Sequence, residues 1–443
     1  NNLELLAMEF KKVKLGEIAR VKNGYAFKSK DFTDYGIPII KIKNICPPLI
    51  NIEECNYVSE ELYNQTSQYC ILKGDILISM TGSGPNQMNS AVGKVGRYLL
   101  NRKALQNQRV GKIEIIDEQK YDKDFLYYYL SQKNILEYFV NNSTGSANQA
   151  NISKKIIENL MVPDFLKSTQ RKIANILNAL DSKIEINNKI ISNLESQAQA
   201  IFKSWFVDFE PFQDGNFVES ELGMIPEGWE VKKIKDISKR INGFSYTSKD
   251  IVDESNINMI TIKNFDRNGG LQNDSIKPIS KNSRIKKDHY LKTNDILMAC
   301  TDLTQKADII GGVILYFENE KFDNEIFSMD LIKLVPFEKN DTFFFYYYLK
   351  NPIFKLFAEN ASSGTTVLHL SKKAVDNFKI VYPAKKHIDR FNDYVFPIIK
   401  KQRNLLTQNT KLAELRDALL PKLMAGEIDV SNIKIEGEEV KNE

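Results

Sequence analysis

Side chains that could recognise a nucleic acid gather in polar stretches of this sequence. Lysine and arginine bind phosphate oxygens, and asparagine, glutamine and arginine can make two hydrogen bonds at once to a base edge. The amino-terminal candidates are Lys28, Ser29, Lys30, Asn86, Gln87, Asn89, Lys94, Gln106, Asn107, Gln108, Arg109, Ser146, Asn148, Gln149, Lys154 and Lys155. The carboxy-terminal candidates are Tyr246, Ser248, Lys249, Thr304, Gln305, Lys306, Thr365, Thr366, His369, Lys372 and Lys373. Polar residues in loops are often only solvated and contact no ligand. Each of these residues is therefore a candidate for DNA contact and not an established one.

Motifs for catalysis are incomplete. The NPIF stretch at residues 351–354 resembles the motif that positions an amine in amino-methyltransferases, but its second proline is missing. We expect a helix to end there instead, because Pro352 cannot continue it. The GSGPNQ stretch from Gly82 lacks the spacing and the lysine of a phosphate loop. The sequence therefore predicts no catalytic residue and a chain that is not an enzyme by itself.

Composition limits the class of protein. The content of 42% hydrophobic and 27% charged residues is typical of a globular chain, and the length of 443 residues suggests two to four domains. Four cysteines without a CxxC pair and three histidines without metal-ligand spacing predict buried free thiols and no metal site. No long apolar run occurs, so we expect a cytoplasmic chain. The net charge of +4 divides into −4 for residues 427–443, a predicted solvated tail, and +8 for the remainder.

An internal repeat organises the chain. Five blocks recur in the same order at an offset of 218 to 220 residues, which excludes chance. The pairs are 23–31 with 242–250, 39–45 with 259–265, 74–82 with 294–302, 125–130 with 344–349, and 152–160 with 370–378. Within each copy, short β-branched runs alternate with helical apolar stripes. Each copy therefore reads as a mixed α+β domain, and the consecutive tyrosines at 127–129 and 346–348 are expected to be mostly core.

A long helix is predicted after each copy. In the first helix, Ile173, Leu177, Leu180, Ile184, Ile191, Leu194, Ala198, Ile201 and Trp205 are spaced by threes and fours, which is typical of a coiled-coil seam. Asn187 fills the gap in this seam, either to fix register or as a tolerated exposed residue. The second seam is weaker, and Pro397 is expected to kink or delay that helix. Two antiparallel helices would hold two similar domains apart, which suits duplex DNA with two separated half-sites.

Several blocks resemble the specificity subunits of type I restriction–modification systems. The resemblance rests on IPEGWEVKKIKDI from Ile225, the GDILI and NDILM blocks, QNQRVGKIEI from Gln106, both SKK blocks, QRKIANILNALDSKIEINNKI from Gln170 and LRDALLPKLMAGEI from Leu415. It covers nearly the whole chain. The PEGW-type opening is missing before the first copy, where VKLGEIARVKNG stands instead.

The resemblance implies two target-recognition domains, each reading one half of an asymmetric bipartite DNA site. We expect these domains at residues 1–167 and 211–387, spacer helices at 168–210 and 388–426, and an acidic tail at 427–443. Two methyltransferase subunits are the implied partners, joined by motor-nuclease subunits for restriction. S-adenosylmethionine, ATP and magnesium would belong to those partners, and this chain would hold no cofactor.

Two features leave alternatives open. Ser153 and Ser371 of the SKK blocks suit helix N-caps, while their lysines suit phosphate contacts common to both copies. Trp205, Phe206 and Phe209 form an apolar cluster that either docks a methyltransferase or packs against the second domain. For the whole chain, the alternatives are an anti-restriction or architectural DNA binder without methyltransferase partners, and a scaffold that binds only protein.

Overall fold

The structure is a computed structural model that describes residues 11–146, 149–265, 270–271, 276–318, 322 and 324–433, apart from the side chains of Asn86 and Asn89. It divides into unit 1, which contains Asn1–Glu185 and Thr410–Glu443, and unit 2, which contains Ile186–Asn409. Each unit is an α+β body that combines a domain copy with parts of two long helices. The predicted fold class is confirmed.

Unit 1 consists of short strands and short helices, together with parts of the two long helices. Its strands are β1 Lys12–Lys14, β2 Ala19–Asn23, β3 Ile37–Ile40, β4 Ile45–Cys46, β5 Leu49–Ile50, β6 Asn56–Val58, β7 Cys70–Ile71, β8 Ile76–Ser79, β9 Thr81–Gly82, β10 Val95–Arg97, β11 Ala104–Gln106, β12 Val110–Ile115, β13 Thr144–Ser146, β14 Gln149–Asn151 and β15 Met161–Pro163. Its short helices are α1 Leu15–Ile18, α2 Glu60–Gln65, α3 Lys123–Leu130, α4 Lys133–Asn141 and α5 Lys154–Glu158.

Unit 2 has a similar order of elements, with an added hairpin of β16 and β17 at its start and, among its described residues, no α-helix at the place of α2. Its strands are β16 Phe217–Ser220, β17 Gly223–Pro226, β18 Glu230–Lys233, β19 Ser238–Asn242, β20 Ile257–Ile260, β21 Lys277–Pro278, β22 Ile296–Ala299, β23 Thr301–Asp302, β24 Val313–Leu315, β25 Asn324–Phe327, β26 Leu331–Pro336, β27 Ser362–Ser363, β28 Leu368–Leu370 and β29 Lys379–Tyr382. Its short helices are α7 Ile234–Ile237, α8 Thr342–Lys350, α9 Pro352–Asn360 and α10 Lys372–Asn377.

The sequence repeat is also a repeat of sheet topology. In unit 1 one sheet contains the order β2-β12-β8-β10, and in unit 2 the equivalent sheet has the order β19-β26-β22-β24. The register agrees as well, since Ile113 pairs with Ile76 and Leu334 pairs with Ile296. These β-branched and leucine side chains are fully buried, as expected of strands covered on both faces. The two copies therefore share strand order and residue register.

The aromatic helices α3 and α8 supply much of each core. The tyrosines at 127–129 are buried, as are Tyr346 and Tyr347 in the second copy, while Tyr348 is half-buried. The prediction that these tyrosines are mostly core is confirmed. Asp122 caps α3 by accepting the backbone N–H of Phe125. Asn351 caps α9 through the N–H of Ile353, with Pro352 as the first helical residue. The NPIF stretch is therefore a helix boundary, as predicted.

Two equivalent glycines allow strands to approach closely. A Cβ on Gly24 would lie 2.2 Å from the carbonyl oxygen of Gln106, and one on Gly243 would lie 1.9 Å from that of Ser328. The adjacent amides, of Tyr25 and Phe244, donate to the neighbouring strand end in both copies. The repeated Asn-Gly dipeptide thus has a steric reason, because only glycine fits there.

The long helices are α6, at Lys167–Phe206, and α11, at Lys385–Met424, against the predicted 168–210 and 388–426. Within unit 1, Asp181 of α6 accepts a hydrogen bond from Arg416 of α11. Within unit 2, Asn187 pairs with Gln408, and Gln402 donates to the carbonyl of Ile191. In unit 2 the partner numbers on α11 fall as those on α6 rise, so the two helices are antiparallel there. The expectation that Pro397 delays the second helix is wrong, because α11 starts upstream of it.

Asn187 lies inside the seam. It is fully buried, and its Nδ2 donates to Gln408 Oε1 and Asn409 Oδ1, each at 2.8 Å. A buried amide with specific partners favours one helix register over others. Of the two alternatives left by the sequence, the exposed position is therefore excluded.

Two expectations from composition need correction. Cys300 is buried, but Cys46 is exposed, because it lies at the rim of a two-residue edge strand. The beginning of the acidic segment is only partly solvated: Glu427 and Asp429 are exposed, but Val430 is 4% exposed in the core of unit 1, and Lys172 Nζ donates to the Ser431 carbonyl at 2.6 Å. Residues 434–443 lie outside the described part of the chain. No described helix has an apolar stretch sufficient to cross a bilayer.

Candidate nucleic-acid interface

Arg109, Thr81 and Asn151 meet at one end of the small sheet β13-β14-β9. Thr81 and Asn151 are opposite residues of the antiparallel pair β9 and β14. Arg109 precedes β12, and its Nη1 donates to Thr81 Oγ1 at 3.1 Å and to Asn151 Oδ1 at 3.3 Å. The guanidinium is exposed, whereas the other two side chains are half-buried. This geometry orients a cation at the surface through two polar side chains.

The other predicted residues of unit 1 divide between two places. Lys28, Ser29 and Lys30 are exposed around the 3-10 helix Ser29–Asp31, next to Phe27 and Phe32, which pack on the β3-β11 sheet. The remaining candidates follow the small sheet or its neighbouring loops. Of these, Gln87, Gln108, Ser146, Gln149, Lys154 and Lys155 are exposed, and Lys94 and Asn107 are half-buried. Asn148 and the side chains of Asn86 and Asn89 lie outside the described residues.

The candidates of unit 2 have a similar distribution. Tyr246 packs in a small core with Phe244, and Lys277 Nζ lies 5.1 Å from its ring centroid. His369 of β28 lies opposite Thr301 of β23, as Asn151 lies opposite Thr81. The exposed candidates are Ser248, Lys249, Gln305, Lys306, Thr365, Thr366, His369 and Lys373, with Thr304 and Lys372 half-buried.

Gln106 is a correction to the predicted set. It is 1% exposed, and its Nε2 donates at 2.7 Å to the carbonyls of both Lys22 and Val110. The strand pairing puts Gln106 opposite Ile40 and the fully buried Phe327 opposite Ile260, so the two residues are equivalent. A buried amide already bonded to strand carbonyls supports the fold and cannot reach a ligand.

Asp302 organises the loop that contains Thr304, Gln305 and Lys306. It is 1% exposed and accepts hydrogen bonds from the backbone N–H and hydroxyl of Thr304 and from the N–H of Ile309. Burial would raise the pKa of its carboxyl, but these backbone bonds hold the pKa below its usual range. Thr304 therefore stabilises the loop through its hydrogen bonds to Asp302. The adjacent Gln305 and Lys306 are exposed.

Both SKK blocks begin helices. Ser153 accepts the N–H of Ile156, and Ser371 accepts that of Ala374. The N-cap interpretation is confirmed, and the following lysines stand at equivalent places in both units. Lys154 and Lys155 point to the surface three and four residues after Asn151, and Lys372 follows His369 by the same interval.

The cluster Trp205, Phe206 and Phe209 packs within unit 2. Phe206 is 3% exposed and contacts the rings of Trp229, Phe344 and Phe391 at centroid distances of 5.0 to 5.8 Å. Trp205 and Phe209 are half-buried against the same core. The docking hypothesis is therefore wrong for Phe206, because its ring is already covered by the domain. Trp205 is only half-buried, and its ring contacts the half-exposed Tyr394.

A charged network fixes α6 to the aromatic helix of unit 2. Lys350 Nζ lies 2.6 Å from Glu195 Oε1, while Tyr347 and Gln402 donate to Glu195 Oε2 at 3.2 Å. Burial would raise the pKa of Glu195, but the charge of Lys350 and the hydrogen bonds lower it below its ordinary value. In unit 1, Tyr128 and Arg416 both donate to Asp181.

The lowered pKa of Glu195 predicts a dependence of stability on pH. A carboxyl with a lower pKa in the folded state stabilises the fold above its ordinary pKa, and this contribution disappears as pH falls through the folded value. We expect Glu195→Gln to reduce Tm at pH 7 and to have little effect near the acid limit of folding. Thermal unfolding of both proteins between pH 7 and pH 3.5 measures this difference. With the exposed Glu219→Gln as control, a constant difference across that range would refute the assignment.

The sequence comparisons identify the class of protein. Residues 8–196 and 226–412 match the family "Type I restriction modification DNA specificity domain". The chain belongs to this family, and the two matched segments correspond to the two copies described above.

Individual relatives agree with this assignment. The chain is 27% identical to the type I restriction enzyme HindI specificity subunit of Haemophilus influenzae, over 81% of this chain and 87% of the relative. It is also 27% identical to the MjaIX specificity subunit of Methanocaldococcus jannaschii, over 96% and 94%. A crystal structure of the type I restriction–modification S subunit from M. genitalium has a TM-score of 0.52 at 17% identity, covering 96% of this chain and 98% of the other. That structural likeness concerns the fold.

Proposed function

We propose that each unit reads one half of an asymmetric bipartite DNA site, so that this chain supplies sequence specificity to a type I restriction–modification complex. The observation that carries the proposal is the duplicated topology, in which common lysines accompany different surface loops. Shared lysines suit the phosphates that every DNA sequence presents, and differing polar side chains suit different bases. The helices α6 and α11 would set the distance between the two half-sites.

The chemical step would belong to other subunits. Among the described residues there is no cluster of histidine, cysteine and carboxylate side chains that could hold a metal ion. We propose two methyltransferase subunits as partners, which would methylate adenine with S-adenosylmethionine at the sites that this chain selects, and motor-nuclease subunits that would use ATP and magnesium. This chain would be the non-catalytic member and would act in the cytoplasm, where host DNA lies. The half-buried Trp205 and the half-exposed Tyr394 form a place where a partner could dock.

The lysines after Ser153 give this proposal a direct test. Lys154→Ala with Lys155→Ala should weaken binding of the assembled complex to all DNA sequences alike and reduce the slope of log affinity against log salt by about 1 to 2. Fluorescence anisotropy with specific and unrelated duplexes, at several salt concentrations, measures both quantities.

Lys133→Ala is the matched control, since Lys133 is an exposed lysine of α4 outside the candidate set. It should leave the slope unchanged. A double variant with the wild-type slope would remove these lysines from the interface. A wild-type complex with no DNA binding at any salt concentration would contradict the proposed function itself and favour a protein scaffold.

A further inference from the structure

Three positions are equivalent between the units, and two of them carry different side chains. The third is a threonine in both units, half-buried in unit 1 and buried in unit 2. Thr81 and Thr301 occupy the same place in β9 and β23, and their antiparallel partners are Asn151 and His369. The carbonyl of Arg109 accepts the N–H of Met80, and the carbonyl of Asp330 accepts that of Cys300, both at 2.9 Å. The triad in unit 1 is thus Thr81, Arg109 and Asn151. The triad in unit 2 is Thr301, Asp330 and His369.

The fold around these positions is kept while two of the three side chains change. The residue after the β14 or β28 position returns a backbone bond in both units, from Ile152 to Met80 at 3.1 Å and from Leu370 to Cys300 at 2.9 Å. Because the backbone hydrogen bonds are equivalent, the side chains at these positions are held by the same backbone arrangement in each unit. A change from Arg and Asn to Asp and His reverses the hydrogen-bonding character, because arginine only donates and an ionised aspartate only accepts.

The unit 1 triad is suited to a purine. Both hydrogen bonds of Arg109 use Nη1 and hold the exposed guanidinium in one orientation. A pre-oriented arginine makes the two-bond contact to guanine O6 and N7, the commonest specific contact in the major groove. Asn151, beside it on β14, adds an amide with both donor and acceptor capacity.

The unit 2 triad is suited to a base that offers an amino group. Asp330 is half-buried, and Ser328 Oγ lies 3.4 Å from its Oδ2. A carboxylate accepts from the exocyclic amine of cytosine, and His369 is exposed next to the same strand end. Lys372 follows three residues later, as Lys154 does in unit 1, which places a candidate phosphate contact beside each triad.

We infer that these triads are the base-discriminating positions of the two units: Arg109 with Asn151 selects a guanine in one half-site, and Asp330 with His369 selects an amino-bearing base in the other. This inference rests on the proposed function. It adds Thr81, Asn151 and Asp330 to the recognition surface, with the buried Thr301 as a supporting residue of unit 2. It also assigns a different chemical preference to each unit.

The test is the DNA motif itself. The full chain, co-expressed with the methyltransferase subunit of its own system, is compared with Arg109→Gln and with Asp330→Asn by sequencing methylated adenines in host DNA. Arg109→Gln should relax one position of one half-site, with discrimination there reduced about tenfold or more. Asp330→Asn should relax one position of the other half-site. Each variant should leave the opposite half-site unchanged.

Other outcomes are distinguishable. Unchanged motifs with equally reduced methylation at every site would make these residues phosphate contacts and overturn the inference. Relaxation of both half-sites by one variant would also overturn it. Wild-type Tm in each variant separates base recognition from misfolding, and the exposed Lys133→Ala provides a neutral control for methylation level. If the wild-type chain itself produces no bipartite motif, the proposed function fails rather than this inference alone.

Discussion

Lys350→Ala should lower the free energy of unfolding of unit 2 by about 3 kcal/mol, because it leaves the carboxylate of Glu195 buried without its cation. The two side chains are 19% and 22% exposed, so water compensates for little of the loss. For a unit of this size the change corresponds to a decrease in Tm on the order of 10 °C. Differential scanning calorimetry of the full chain measures it.

The double variant Lys350→Met with Glu195→Leu is the matched control. Removing both charges avoids the unpaired carboxylate, so most of the lost stability should return, although the bonds from Tyr347 and Gln402 are also lost. A change of 1 kcal/mol in the free energy of unfolding shifts Tm by about 2 °C or more in a unit of this size. If Lys350→Ala changes Tm by less than that, the network does not fix α6 to α8. A double variant less stable than Lys350→Ala would point to packing instead of charge.

Shortening both long helices by four residues should change the spacing of the recognised DNA site. Residues 182–185 of α6 and 410–413 of α11 lie between two sets of contacts, Asp181 with Arg416 and Asn187 with Asn409. Four helical residues span about 6 Å, and a base pair about 3.4 Å, so the spacer between half-sites should shorten by one or two base pairs. Sequencing of methylated adenines measures the new spacer.

A deletion from only one helix is the corresponding control. With one helix shortened, the pair Asp181 and Arg416 and the pair Asn187 and Asn409 cannot both form. We expect that chain to be unstable and to direct no methylation. The half-site sequences themselves should remain those of the wild-type protein in the matched deletion. A matched deletion that folds and retains the original spacer would disprove the role of the helices as a ruler.

The repeat and the helices could be predicted because their causes are local or periodic. The repeated blocks indicate two copies of a domain without any knowledge of three-dimensional contacts. Seam residues such as Leu177 and Ala198 are fully buried, as their spacing predicts. Asn187 shows where this reasoning stops. Periodicity places it on the seam, but only its amide partners on α11 decide between a register contact and an exposed residue.

Individual site residues depend on contacts that spacing does not report. Gln106 has the polar neighbours of a loop residue, yet it ends strand β11 with its amide turned inward. The triad of unit 1 combines residues 28 and 42 positions apart from Arg109, so no short motif contains it. The repeat did indicate one position of the triads. The block that ends at Gly82 in the first copy and at Asp302 in the second has a threonine in both copies, Thr81 and Thr301.

Sequencing of methylated adenines in host DNA, with and without this chain beside its own methyltransferase subunit, tests the central claim most directly. We predict a two-part asymmetric motif with a fixed spacer that is present only when the chain is present. A stable complex that methylates no defined motif, or a motif that persists without the chain, would contradict its role as the source of DNA specificity.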